Sequence, residues 1–214
     1  IPIILSIYAV VNGTGTLAGE EDNGRLELTV ALPIPRWQIV AVKAVALSAG
    51  LLVILAIAAA GAALTMVSIS SQIETVVTPL DVFLSLLAAW PLTVAVGMLS
   101  LFLGAFSPSR HIASTLAMVV VVASYLGSNL TGMITSLEPV QGFFLFHYYE
   151  ATGQALEMGQ KAGNMLILLA VAVLALGAAV FFFQRRDVTV GAWPWQRGRI
   201  PALATDEGSG SQAP

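Results

Sequence analysis

No cysteine occurs among the 214 residues, which removes disulfides, thiolate metal sites and cysteine nucleophiles. The two histidines leave little material for a metal centre. Charge is scarce as well: 10% of residues are Asp, Glu, Lys or Arg, against roughly 25% in soluble domains. A water-soluble fold could not cover its surface with so few charges, so lipid must be its main solvent. The formal net charge of -3 and the lack of a basic patch argue against a nucleic-acid partner. The chain has no G-x-x-x-x-G-K-S/T loop to cradle a phosphate and does not hydrolyse ATP by that route. It opens on Ile1-Pro2 with no basic flank, unlike a signal peptide. This start reads as the interior of a membrane helix, so upstream sequence is expected.

What is present is apolar: 57% of the residues are hydrophobic. A spanning helix needs about 20 mostly apolar residues. Charge-free runs fall at Ile1–Gly19 and between Lys43 and Glu74, Asp81 and Arg110, Arg110 and Glu138, and Lys161 and Arg185. They are continuous, as in MLILLAVAVLALGAAVFFF, where a barrel would alternate polar with apolar residues. Helices satisfy their own backbone groups in lipid. The expected fold is therefore all-α, a polytopic helix bundle with spans near residues 1–18, 39–70, 82–106, 110–132 and 163–184. Pro108 breaks the chain between the third and fourth runs, and Ser109 can cap the helix that follows. Trp90-Pro91 predicts a kink inside the third run. Gly50, Gly61, Gly97 and Gly104 are expected to allow close helix approach or bending, and Gly159-x-x-x-Gly163 fits a packing motif.

Basic and acidic connections alternate. Arg25, Arg36 and Lys43 follow the first run, Arg110 sits in the hairpin, and Arg185, Arg186, Arg197 and Arg199 close the chain. The other two connections carry Glu74 and Asp81, then Glu138, Glu150 and Glu157 with Lys161. The positive-inside rule places the basic connections and the C-terminus in the cytoplasm. No ionisable residue lies near the middle of any span, which disfavours ion-coupled transport and intramembrane proteolysis. His147-Tyr148-Tyr149-Glu150 reads as an interfacial anchor rather than a ligand or metal site. The polar tail, about 185–214, is expected to be largely disordered.

The stretch GEEDNGRLELTVALPIPRWQIVAVK, Gly19 to Lys43, is the most informative. Leu28 and Leu32 are four apart, as are Leu26 and Val30, so Gly24 to Leu32 predicts a short amphipathic helix. Glu20, Glu21 and Asp22 would favour its positive N-terminal end, and Pro33 and Pro35 would stop it. The paired acids, Gly, Leu-Glu, the Pro-x-x-Arg-like turn and the following Lys resemble the type-2 ATP-binding-cassette exporter permeases. FFLFHYYEATGQALEMG, Phe143 to Gly159, is similar to that family's outer amphipathic segment, and FQRRDV, Phe183 to Val188, to its final ending. The resemblance covers about Ile1 to Val188.

That resemblance implies a six-span unit, with a coupling helix at about 20–32 and an outer amphipathic segment at about 138–160. The coupling residues are then Glu20, Glu21, Gly24, Leu26, Glu27, Pro33 and Arg36. It implies no catalysis and no cofactor in this chain, with ATP and Mg on a separate ABC ATPase subunit. A second permease copy or homologous half would complete a dimer in a prokaryotic plasma membrane, surrounded by membrane lipid. The alternative is a membrane scaffold or assembly protein that binds a soluble partner without moving cargo.

Overall fold

The computed structural model describes residues 2–22, 35–69, 77–131, 133–149 and 162–185. These residues are helical throughout apart from short turns, with no strand among them. The α-helices are α1 (Pro2–Asp22), α2 (Arg36–Ile69), α3 (Pro79–Leu87), α4 (Trp90–Phe106), α5 (Arg110–Thr131) and α6 (Ala162–Gln184). Two 3₁₀ segments, Thr135–Phe143 and Leu145–Tyr148, follow α5. Four stretches are long and apolar enough to cross a bilayer: α2, α3 with α4, α5, and α6. The apolar part of α1 is shorter, Pro2–Thr16. At 1.5 Å per residue it rises about 22 Å, less than the roughly 30 Å of a hydrocarbon core. The chain is a multi-pass membrane protein with an all-α bundle.

The helix α4 is the hub. It packs most closely on α6 and α1, and more lightly on α5 and α2. Leu92, Ala95, Val96 and Leu101 are buried along its length, as are Thr93, Ser100 and Gly104. A helix this apolar on all sides needs protein around it or lipid. Small residues settle the matter, because Thr93, Gly97, Ser100 and Gly104 form a stripe that lets neighbouring backbones close in. At the crossing with α1, a Cβ on Gly13 would lie 2.9 Å from the Gly97 carbonyl oxygen and 2.8 Å from Ser100 Cβ. A Cβ on Gly104 would lie 3.4 Å from Thr14 Cα. The sequence expectation of close approach holds for Gly104 in this contact, and for Gly97 on its other side, where a Cβ would lie 3.1 Å from Leu47 Cδ2 of α2. Gly50, Gly61 and Gly163 instead face open space, and Gly159 lies outside the described residues.

The third run is divided rather than merely kinked. Thr78 caps α3: its hydroxyl accepts from the Asp81 amide at 3.3 Å, and its own amide donates to Asp81 Oδ2 at 2.9 Å. Pro79 takes the first helical turn, where its missing N–H costs nothing. Twelve residues on, Pro91 cannot donate to the Leu87 carbonyl, and its ring crowds that oxygen. The chain answers with a tighter turn at Ala88-Ala89, where the Ala89 amide donates to Leu86 O at 3.1 Å. Trp90 then reaches across to α2 and donates its indole N–H to the Ser48 carbonyl at 3.2 Å.

Between α4 and α5, Ser107, Pro108 and Ser109 make a sharp hairpin. Ser109 accepts from the Ile112 amide at 3.4 Å through its hydroxyl and from the Ala113 amide at 3.1 Å through its carbonyl. At the other end of α5, the 3₁₀ segments fold back onto the bundle. Phe146 is buried there, its amide donating to Ser124 Oγ at 3.2 Å and its ring meeting Tyr125 edge-on at 5.4 Å. The Phe144 ring lies against Gly127, where a Cβ would displace it. Tyr148 donates to the Gly142 carbonyl at 2.9 Å.

Candidate functional site

Every Lys and Arg among the described residues lies at one end of the bundle: Arg36, Lys43, Arg110 and Arg185. Connectivity explains part of this, since α2 and α5 start at that end while α1, α4 and α6 finish there. Contacts draw the groups together. Lys43, two turns into α2, donates its ammonium to the Thr16 carbonyl of α1. Arg110, the first residue of α5, lays its guanidinium against Gly15, with Nη2 3.2 Å from where a Cβ there would stand. Two cations therefore grip the last turns of α1.

The grip depends on small residues. Gly13-Thr14-Gly15-Thr16 gives α1 a narrow girth as it passes α4 and α5. Thr14 is buried and donates to the Val10 carbonyl at 2.8 Å, and Thr16 donates to the Gly13 carbonyl at 2.9 Å. Both hydroxyls are thereby satisfied within the helix. Beneath this layer α4 and α6 are joined by aromatics. Phe106 meets Phe182 edge-on at 5.4 Å, and Phe102 lies 5.8 Å from Phe182. Arg185 rests over the Phe181 ring at 4.1 Å, a cation–π contact that suits a guanidinium at an interface.

Glu20 and Glu21 fall in the last turn of α1, which continues to Asp22. The rest of the coupling helix expected at about 20–32 lies outside the described residues. Leu17, Ala18, Glu20 and Glu21 are good helix formers, and no proline intervenes to stop α1 before Asp22. Arg36 opens α2, one residue after Pro35. Gly24, Leu26, Glu27 and Pro33 lie outside the described residues, as do residues 150–161 of the outer segment and the tail from Arg186. The structure thus brings Lys43 and the ends carrying Glu20, Glu21 and Arg36 to one face. It adds Gly15, Thr16 and Arg110, which were not singled out as parts of the site. The alternation of glycine and threonine at 13–16 was the available signal.

The opposite end is acidic or neutral among the described residues: Asp81 caps α3 there, and His147 packs its ring on Tyr148 at 5.4 Å. Among the described residues the lysine and arginine side chains, though not the acids, are thus confined to one end. No curated protein and no solved structure matches the chain. A family model described as "ABC-2 family transporter protein" matches residues 1–188. With that match spanning most of a multi-pass helical bundle, the chain belongs to the ABC-2 transporter family and is a transmembrane transporter subunit.

Proposed function

We propose that this chain is the permease subunit of an ATP-driven exporter, coupled to a separate ATPase through the segment from Glu20 to Arg36. The observation that supports this most is the anchoring of that segment at both ends. Before it, α1 is held by Lys43 and Arg110; after it, α2 begins at Arg36 and carries Lys43 itself. A displacement applied between Asp22 and Arg36 acts on two rods already tied together by the Lys43–Thr16 contact, so it moves both. The positive-inside rule places this basic end in the cytoplasm, where an ATPase is found. ATP and Mg are held by that partner, since this chain lacks a phosphate-binding loop. Two such permeases, identical or homologous, rock between inward-open and outward-open forms in a prokaryotic plasma membrane. A scaffold that binds a soluble protein would not need two gripped helix ends beside the docking segment.

Affinity purification of the tagged chain tests the proposal. An ATPase is expected to co-purify, with a hydrolytic rate that depends on the chain. Glu20→Ala, Glu21→Ala and Leu26→Ala should each lose the ATPase or lose transport while the chain still inserts. Normal transport by these variants would reject the coupling role.

A further inference from the structure

One end of α2 is held and the other is not. At the basic end Lys43 is tied to the Thr16 carbonyl of α1, and Val40, Ala44, Leu47 and Leu51 are buried. Beyond Ala59 the pattern changes: no residue from Ala60 to Ser68 is buried. There α2 has α3 for its neighbour, and among the described residues α3 packs on α2 but hardly at all on the other helices. The hub α4, by contrast, packs on α1, α5 and α6. The outer part of α2 and the whole of α3 thus form an arm that projects from the bundle. With 34 residues, α2 is about 51 Å long, well beyond the roughly 30 Å of a hydrocarbon core. An overlong apolar helix accommodates its bilayer by tilting.

The arm joins α4 at the Ala88-Ala89 turn. Pro91 deprives the Leu87 carbonyl of its helical N–H, and in membranes hydroxyls from neighbouring helices satisfy such carbonyls. Ser6 of α1 is placed to do so. It stands seven residues before Gly13, about two turns along the same side of α1. Gly13 meets Gly97 and Ser100. Seven residues back along α4, which runs in the same direction as α1, are Trp90 and Thr93. The neighbouring Leu5 packs in one cluster with Ala89 of the turn. Ser6 is fully buried, yet its hydroxyl makes no hydrogen bond among the described residues. A buried hydroxyl of this kind costs free energy unless a second arrangement gives it a partner.

The Trp90 indole, donating to the Ser48 carbonyl at 3.2 Å, latches α2 to the start of α4. On the α6 side of this latch α2 is loosely seated, beside a hollow of about 420 Å³ lined by Ala49 of α2 and Ala172 of α6. We infer that α2 and α3 tilt together as one arm, with α2 pivoting on its tie at Lys43 and the Ala88-Ala89 turn taking up the angle. In the latched form Trp90 holds Ser48. In the tilted form that bond opens and Ser6 donates to the Leu87 carbonyl. The tilt requires no ATPase and stands apart from the coupling role.

The test places pairs of nitroxide-labelled cysteines in the chain, reconstituted in lipid with an excess of unlabelled copies and no ATPase. Leu84→Cys with Leu166→Cys spans arm and bundle, and Ile57→Cys with Leu80→Cys lies within the arm; all four side chains are exposed. Double electron–electron resonance is expected to give two distances for the first pair and one for the second. Pro91→Ala, which restores the helical N–H, should reduce the first pair to one distance. Trp90→Phe should lower the ratio of latched to tilted form by about two- to five-fold, the loss expected of one interhelical hydrogen bond in a membrane. Ser6→Ala should raise that ratio, because it removes the bond of the tilted form. A single distance for the first pair in the parent chain, or two for the pair within the arm, would overturn the inference. So would shifts of the same sign from Trp90→Phe and Ser6→Ala.

Discussion

At the scale of single residues, the α1–α4 crossing is decided by atoms that are not there. A Cβ on Gly13 would meet the Gly97 carbonyl, which is backbone and cannot step aside. Gly97 itself faces the end of the Leu47 side chain at 3.1 Å, which can rotate. Gly13→Ala should therefore destabilise the bundle by about 1–3 kcal/mol, the usual cost of overpacking. Gly97→Ala should cost distinctly less, and thermal unfolding in detergent distinguishes the two. The N-cap of α3 is a second such site. Thr78→Ala removes the hydroxyl that accepts from the Asp81 amide and should cost about 1 kcal/mol, read by the same melting assay.

At the scale of elements, the helices were legible in the sequence because lipid enforces them. Long charge-free runs can satisfy their backbones in hydrocarbon only as helices, and the bounds of α2, α5 and α6 follow from where Arg36, Arg110 and Arg185 stand. Which helix sits in the centre was less legible. Hydropathy does not decide it, since α6 is as apolar as α4 yet exposes Leu166, Val173 and Leu174. In a bilayer, lipid is as good a neighbour for leucine as protein is, so small residues carry the packing signal. The extension of α1 through Glu20 and Glu21 was hidden for another reason. Two adjacent acids look like the start of a helix by dipole arguments, but helix propensity runs on unbroken through them. The α3–α4 break predicts its own test. Trp90→Phe removes the indole N–H that reaches Ser48 and should cost about 0.5–1 kcal/mol, the range of interhelical hydrogen bonds in membranes. Because that bond ties α4 to α2, amide exchange in α2 around Ser48 should rise with its loss.

At the scale of the whole molecule, the described cations gather at one end and the two 3₁₀ segments lie toward the other. Such a bundle has a mechanical axis: α1 and α2 are tied near Thr16 and Lys43, α4 bears on α1 and α6, and α6 ends at Arg185 beneath aromatic packing. Loosening the tie should weaken transmission without removing the proposed docking segment. Lys43→Ala and Arg110→Ala are expected to keep co-purification of the ATPase while lowering transport per ATP hydrolysed. Loss of the ATPase in these variants would instead assign the two cations to docking.

Because the chain contains no cysteine, a single introduced thiol reports unambiguously, and this gives the most direct test of the link between permease and ATPase. Leu26→Cys and Gln141→Cys are each treated with a short bifunctional maleimide in membranes that contain the co-purifying ATPase. The account predicts a cross-linked permease–ATPase species from Leu26→Cys, strengthened or weakened by ATP, and none from Gln141→Cys. A cross-link from Gln141→Cys, or an ATPase that stays out of reach of Leu26→Cys, would contradict it.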